Sequence, residues 1–123
     1  MNTTLSNEQS IYIQIAKKIE DDILRGIIAE DEGVPSTNQL AALYQINPAT
    51  AAKGINLLVD EGILYKKRGI GMFVTKGAKE TIITKRKTSF YERFILAVVR
   101  EARQLGIGTD ELYEMISRAS KEE

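Results

Sequence analysis

Three short stretches carry side chains suited to a polyanion. Lys66-Lys67-Arg68-Gly69-Ile70-Gly71 sets three cations beside two glycines. An arginine at a hairpin tip can enter a narrow minor groove, where the potential is most negative. Gly69 and Gly71 permit turn geometry and close backbone approach. As a nucleotide loop this stretch lacks a third glycine and a strand-to-helix setting. The second stretch is Asn47-Pro48-Ala49-Thr50, with Lys53 one turn on. Thr50 can bond a phosphate or touch a thymine methyl, Ala49 allows close approach, and Lys53 can reach a guanine or a phosphate. The third is Ser36-Thr37, where the free N–H groups of a helix start suit a phosphate. Each has a plainer alternative. Asn47 and Ser36 serve as helix caps, and Lys53 and the basic turn can simply be solvated.

Other chemistry is poorly supplied. There is no Cys and no His, and no paired-carboxylate arrangement stands out. Disulfides, thiolate sites, and the commonest metal ligand and general base are all missing. The expectation is no enzyme, no metal and no cofactor. The net charge of +0 hides a strong division, because residues 66–103 hold eleven of the 17 basic side chains and only three of the 17 acidic ones. A neutral chain with one basic block can still bind a polyanion locally. No apolar run approaches about 18 residues, so no membrane span is expected. The opening MNTTLSNEQS lacks the basic and apolar regions of an export signal, which makes the cytoplasm the expected location.

These side chains need elements to position them. Tyr12, Ile15, Ala16, Ile19 and Ile23 share one side of a helix over about residues 10–25, with Lys17, Lys18, Asp21 and Asp22 largely on the other. Ser36 with Gln39 is a capping-box pattern before a second helix, about 37–44, whose apolar face is Leu40, Leu43 and Tyr44. Asn47 is a good N-cap and Pro48 fits the first position of a third helix, which buries Ala51, Ile55, Leu58 and Val59 and stops at Gly62. Two helices joined by a short turn form a helix-turn-helix. ILY and MFVT around KKRGIG then read as a hairpin. That order is a winged helix.

Residues 76–80 read as a polar connector. A long helix, about 80–104, follows with Phe90, Tyr91, Phe94, Ile95, Val98, Ala102 and Leu105 on a broad apolar face. Glycines at 106–108 break it. Thr109 caps a last short helix with Leu112, Met115, Ile116 and Ala119 on its apolar side. Lys85, Arg86 and Lys87 read as a face in water or as contacts to flanking phosphates. The predicted fold class is mainly α with a small β-hairpin. A winged helix-turn-helix over 1–76 is followed by a helical dimerisation tail over 77–123. The tail faces must be covered, either by a twofold partner or by packing against the winged helix.

Across about residues 10–75 the chain resembles the GntR family of bacterial transcription regulators. The likeness rests on Tyr12-x-Gln14-Ile15, Gly26, Pro35-Ser36, Leu40-Ala41, Thr50, Leu58, Glu61-Gly62 and Gly69-x-Gly71-x-Phe73-Val74, in that order. The short tail and Asn47-Pro48-Ala49-Thr50 with Lys53 look like its YtrA-type subfamily, where a two-helix tail mainly makes the homodimer. The resemblance implies a repressor that binds an inverted repeat in double-stranded DNA as a homodimer. It leaves room for an unidentified small-molecule effector. The DNA-binding set is then Ser36, Thr37, Asn47, Ala49, Thr50, Lys53, Lys67, Arg68, Gly69 and Gly71. The rival reading is a winged helix used mainly for protein or RNA contacts.

Departures from the family pattern limit what carries over. Many members have arginine where Asn38 stands and basic residues where Pro48 and Ala52 stand. Gly54 sits where alanine is common, and Met72 replaces a threonine. Contacts made by those arginines do not transfer to this chain.

Overall fold

The computed structural model describes Leu5 and residues 9–123. Most of the N-terminal stretch read for an export signal lies outside the described residues. The elements are α1 (Ile11–Leu24), α2 (Thr37–Tyr44), α3 (Pro48–Asp60), β1 (Leu64–Lys67), β2 (Gly71–Val74) and α4 (Ala78–Phe90). A π-helical turn, Tyr91–Ile95, then leads into α5 (Leu96–Gln104), followed by α6 (Thr109–Glu122). Among the described residues the fold is mainly helical with one two-stranded antiparallel sheet. None of the described helices is long and apolar enough to cross a membrane. The chain divides into two compact units, one ending at Thr84 and the other running from Lys85 to Glu123.

Helix starts follow their local chemistry. Ser36 Oγ accepts from the Gln39 N–H at 3.1 Å, and Gln39 Oε1 accepts from the Ser36 N–H at 2.8 Å, closing the capping box. Asn47 Oδ1 accepts from the Ala49 N–H at 2.8 Å, with Pro48 in the first helical turn. Between α2 and α3, Gln45 takes a left-handed conformation (φ 55°) and its N–H bonds Ala41 O, which turns the chain at once. The end of α3 is a Schellman closure. Gly62, at φ 76°, donates to Val59 O at 3.0 Å, and Ile63 donates to Leu58 O at 2.9 Å. Ile63 is thereby delivered into the core, where it is fully buried.

The core of the first unit joins Ile15, Ile19 and Ile23 of α1, Leu40 and Tyr44 of α2, Ala51, Ile55 and Leu58 of α3, and Ile63, Leu64 and Val74 around the sheet. Strands β1 and β2 pair with Leu64 opposite Val74 and Lys67 opposite Gly71. A third extended segment joins the free edge of β2. Gly33 bridges Phe73, Asp31 N–H donates to Val74 O at 2.7 Å, and Val34 N–H donates to Met72 O at 2.9 Å.

Several sequence expectations need correction. Residues 76–80 are not simply a polar connector. Ala78 and Ile82 are fully buried in the core, because α4 begins directly after the turn at Gly77. Asp22 is buried, although its neighbours suggested the solvent side of α1, so the buried arc of α1 is wider than its apolar residues. Leu43 is exposed, since α2 is only eight residues long and packs through Leu40, Ala41 and Tyr44. Lys66 and Lys67 belong to β1 rather than to the turn. Thr109 is the first residue of α6, not its cap; Gly108 holds the cap position without a side-chain bond. The last helix is long, 14 residues.

Candidate nucleic-acid interface

The second helix of the helix-turn-helix is two-sided. Ala51, Gly54, Ile55 and Leu58 are buried. Asn47, Pro48, Ala49 and Lys53 are exposed and Thr50 is partly so. The N-terminal turns of α3 therefore present the residues that sequence reasoning selected. Asn47 uses its carboxamide oxygen as a cap, which leaves its amide N–H groups directed elsewhere. At the start of α2, Ser36 is committed to its capping box, while Thr37 is half-buried.

The hairpin carries its charge at and beside the tip. Arg68, Gly69 and Ile70 connect the strands, and all three are exposed. Gly69 has φ 78° and Gly71 has φ 149°, conformations that a side chain resists. Lys67 does not extend freely: its ammonium lies 4.3 Å from the Phe73 ring centroid and 5.9 Å from that of Tyr65. Tyr65 and Phe73 stack across the strands with centroids 5.9 Å apart. The base of the hairpin is tied down by side chains from the 30–32 loop. Tyr65 donates its hydroxyl to Asp31 Oδ1 at 3.0 Å, and Glu30 Oε1 accepts from the Gly77 N–H at 2.8 Å.

Lys53 is the only basic side chain on α3. Its ammonium sits 4.2 Å from the centroid of the Tyr12 ring at the start of α1. Tyr12 was expected on the buried face of α1; it is half-buried, with its ring open to this cation. A shallow groove of about 440 Å³ opens beside the pair, lined also by Ala49, Ala52, Asn56, Leu57 and Asp60. The sequence reading missed Tyr12, Phe73 and the Tyr65–Asp31 bond. Only the aromatic residues flanking the basic run gave a local signal for any of them.

Within the second unit, Phe90, Tyr91, Phe94, Val98, Leu105, Met115 and Ile116 are exposed in the single chain, each by 36% or more. Ile95 and Leu112 are half-buried, and Ala102 is buried, so Ala102 offers little surface to a partner. Phe90 and Phe94 lie 5.7 Å apart, and the Arg93 guanidinium lies 5.1 Å from the Phe94 ring. Among the described residues, no group of three His, Cys, Asp or Glu side chains is placed to hold a metal ion.

Comparison with known proteins matches residues 11–74 to the gntR family of bacterial regulatory proteins. The chain is 30% identical over 110 residues to the HTH-type transcriptional repressor YtrA of Bacillus subtilis, covering 89% of this chain and 84% of that protein. It superposes on a GntR-family protein from Bacteroides thetaiotaomicron with a TM-score of 0.80 and 35% identity, covering 91% of this chain and 97% of the other. The DNA-binding domain of AraR, solved in complex with an operator, aligns at 32% identity and a TM-score of 0.53, over 61% of this chain and 92% of that domain.

Proposed function

The chain belongs to the gntR family of bacterial regulatory proteins and is a DNA-binding transcription regulator, and from that premise we propose that it represses as a homodimer on an inverted repeat. One observation carries the proposal. The N-terminal turns of α3 expose Asn47, Ala49 and Lys53, while the opposite side of the same helix is locked in the core. That is what a helix entering a major groove needs: a rigid back and a small, polar front.

In this assignment Ala49, Thr50 and Lys53 meet base edges and Asn47 the adjoining backbone. Ser36 and Thr37 start a helix whose free N–H groups suit a phosphate. Arg68 reaches into the neighbouring minor groove, with Gly69 and Gly71 allowing the hairpin backbone close to the duplex. Because α3 has one cation, the hairpin supplies much of the phosphate affinity. The exposed tail face pairs two copies, and a twofold dimer matches two half-sites. An effector would act on the same tail by changing the distance between the two copies of α3. Such a role places the chain in the cytoplasm.

The test is an anisotropy titration with the duplex upstream of the protein's own gene, against random duplex of equal length. Specific binding should exceed random binding by at least about 10³ at physiological salt. Equal binding to both would defeat the assignment.

A further inference from the structure

A lysine that reads a base must be held, because a free four-carbon side chain loses rotamer freedom on binding. Lys53 is held before any DNA arrives: its ammonium lies 4.2 Å from the Tyr12 ring centroid. The two residues come from different helices, so the contact is tertiary. Gly54 makes it close. A Cβ at Gly54 would lie 2.8 Å from Tyr12 O, so the backbones of α1 and α3 nearly touch at the residue next to Lys53.

The chemistry of the holder matters. A carboxylate would fix the ammonium equally well but would cancel the only positive charge on α3. An aromatic face attracts the cation without neutralising it and leaves N–H donors free. The pair stands at the edge of the groove of about 440 Å³, with Ala49 and Ala52 also lining it. These small side chains leave room for a base edge beside a fixed cation.

We propose that Tyr12 is a positioning residue for sequence reading, its ring aiming the Lys53 ammonium into the groove over Ala49 and Ala52. This rests on the assignment of α3 to the major groove. Releasing Lys53 leaves its charge in place, so it can still neutralise a phosphate. What falls is the preference for the right sequence over random DNA.

The experiment is a double-mutant cycle with Tyr12→Leu and Lys53→Ala, plus Tyr12→Phe, each titrated with the upstream duplex and with random duplex. Tyr12→Leu should weaken specific binding about three- to tenfold and leave random binding and the salt slope nearly unchanged. Tyr12→Phe, which keeps the ring, should restore specific binding. In the Lys53→Ala background Tyr12→Leu should have no further effect. In the free protein, the ring should shift the Lys53 ε-methylene proton resonances upfield, and Tyr12→Leu should abolish that shift. Additive losses, equal losses on both duplexes, or an unshifted Lys53 would overturn the role of Tyr12. If Lys53→Ala alone leaves specific binding intact, the placement of Lys53 at a base is what fails, a separate outcome.

Discussion

The backbone of α3 at Gly54 lies so close to the Tyr12 carbonyl on α1 that an added Cβ would sit 2.8 Å from its oxygen and 3.2 Å from Ile15. The nearest obstacle is backbone, which cannot rotate away. Gly54→Ala should therefore destabilise the first unit. Overpacking costs about 1–3 kcal/mol, offset by about 1 kcal/mol of helix propensity gained from alanine. A net loss of up to about 2 kcal/mol is expected as a lower urea midpoint at unchanged m-value. A midpoint at or above wild type would mean that the two helices separate without penalty.

Ser36→Ala removes the hydroxyl half of the capping box and leaves the Gln39 N–H without its acceptor. The expected loss is about 1 kcal/mol. Equilibrium unfolding measures it directly. DNA titration of the same variant separates the cap from any phosphate contact. If Ser36 is only a cap, affinity at temperatures well below unfolding stays at the wild-type level.

Arg68 is exposed at the hairpin tip and makes no contact on which the core depends. Arg68→Ala should keep the unfolding free energy within about 0.5 kcal/mol of wild type. Its DNA affinity should fall, and the slope of log K against log salt should shrink by about 0.9. An unchanged slope would place Arg68 away from the phosphates.

The two ends of α4 serve different units. Ile82 is fully buried in the first core, and the first unit ends at Thr84. A chain ending at Thr84 should stay folded and sediment as a monomer, losing the affinity that pairing of half-sites provides. One ending at Lys79 should unfold more readily, because removing a buried isoleucine costs about 2–5 kcal/mol. A dimer that survives truncation at Thr84 would put the interface in the first unit.

Burial, and after it the charge of Asp22, raises the pKa of the Tyr44 hydroxyl above its ordinary value near 10. Folding thus favours the protonated phenol. That contribution to stability is complete below the unfolded-state value and fades as pH rises through the folded one. The wild-type urea midpoint should fall in this alkaline range, and less so in Tyr44→Phe. Parallel decline in both proteins would assign the effect to other groups.

Features governed by near neighbours were legible in the sequence. Ser36 and Gln39 are three residues apart, Asn47 and Pro48 are adjacent, and Gly62 acts on the helix it follows; each pattern has one favourable geometry. The exposed front of α3 followed from its apolar back. Features that depend on distant partners were not legible. Tyr12 meets Lys53, Asp31 meets Tyr65 and Gly33 bridges Phe73 only after the helices and hairpin have packed. Ile82 looked like tail because nothing local distinguishes a residue that caps one core from one that begins another surface. The π turn at 91–95 has no proline or glycine to announce it.

Under the proposed tail pairing, that turn bears on which copies can pair. A π turn accommodates one more residue than an α turn, and each α-helical residue advances about 100° around the axis. Winding the same residues as a regular α-helix would swing Val98 and Leu105 about 100° away from Phe90, whereas the π turn absorbs the extra residue and keeps them in phase. The tail thus has an angular setting that its composition does not reveal. Two regulators with the same residues here, one with the π turn and one with a regular helix, would be out of phase. Under the proposed tail pairing, such a difference in helix phase would disfavour mixed pairs.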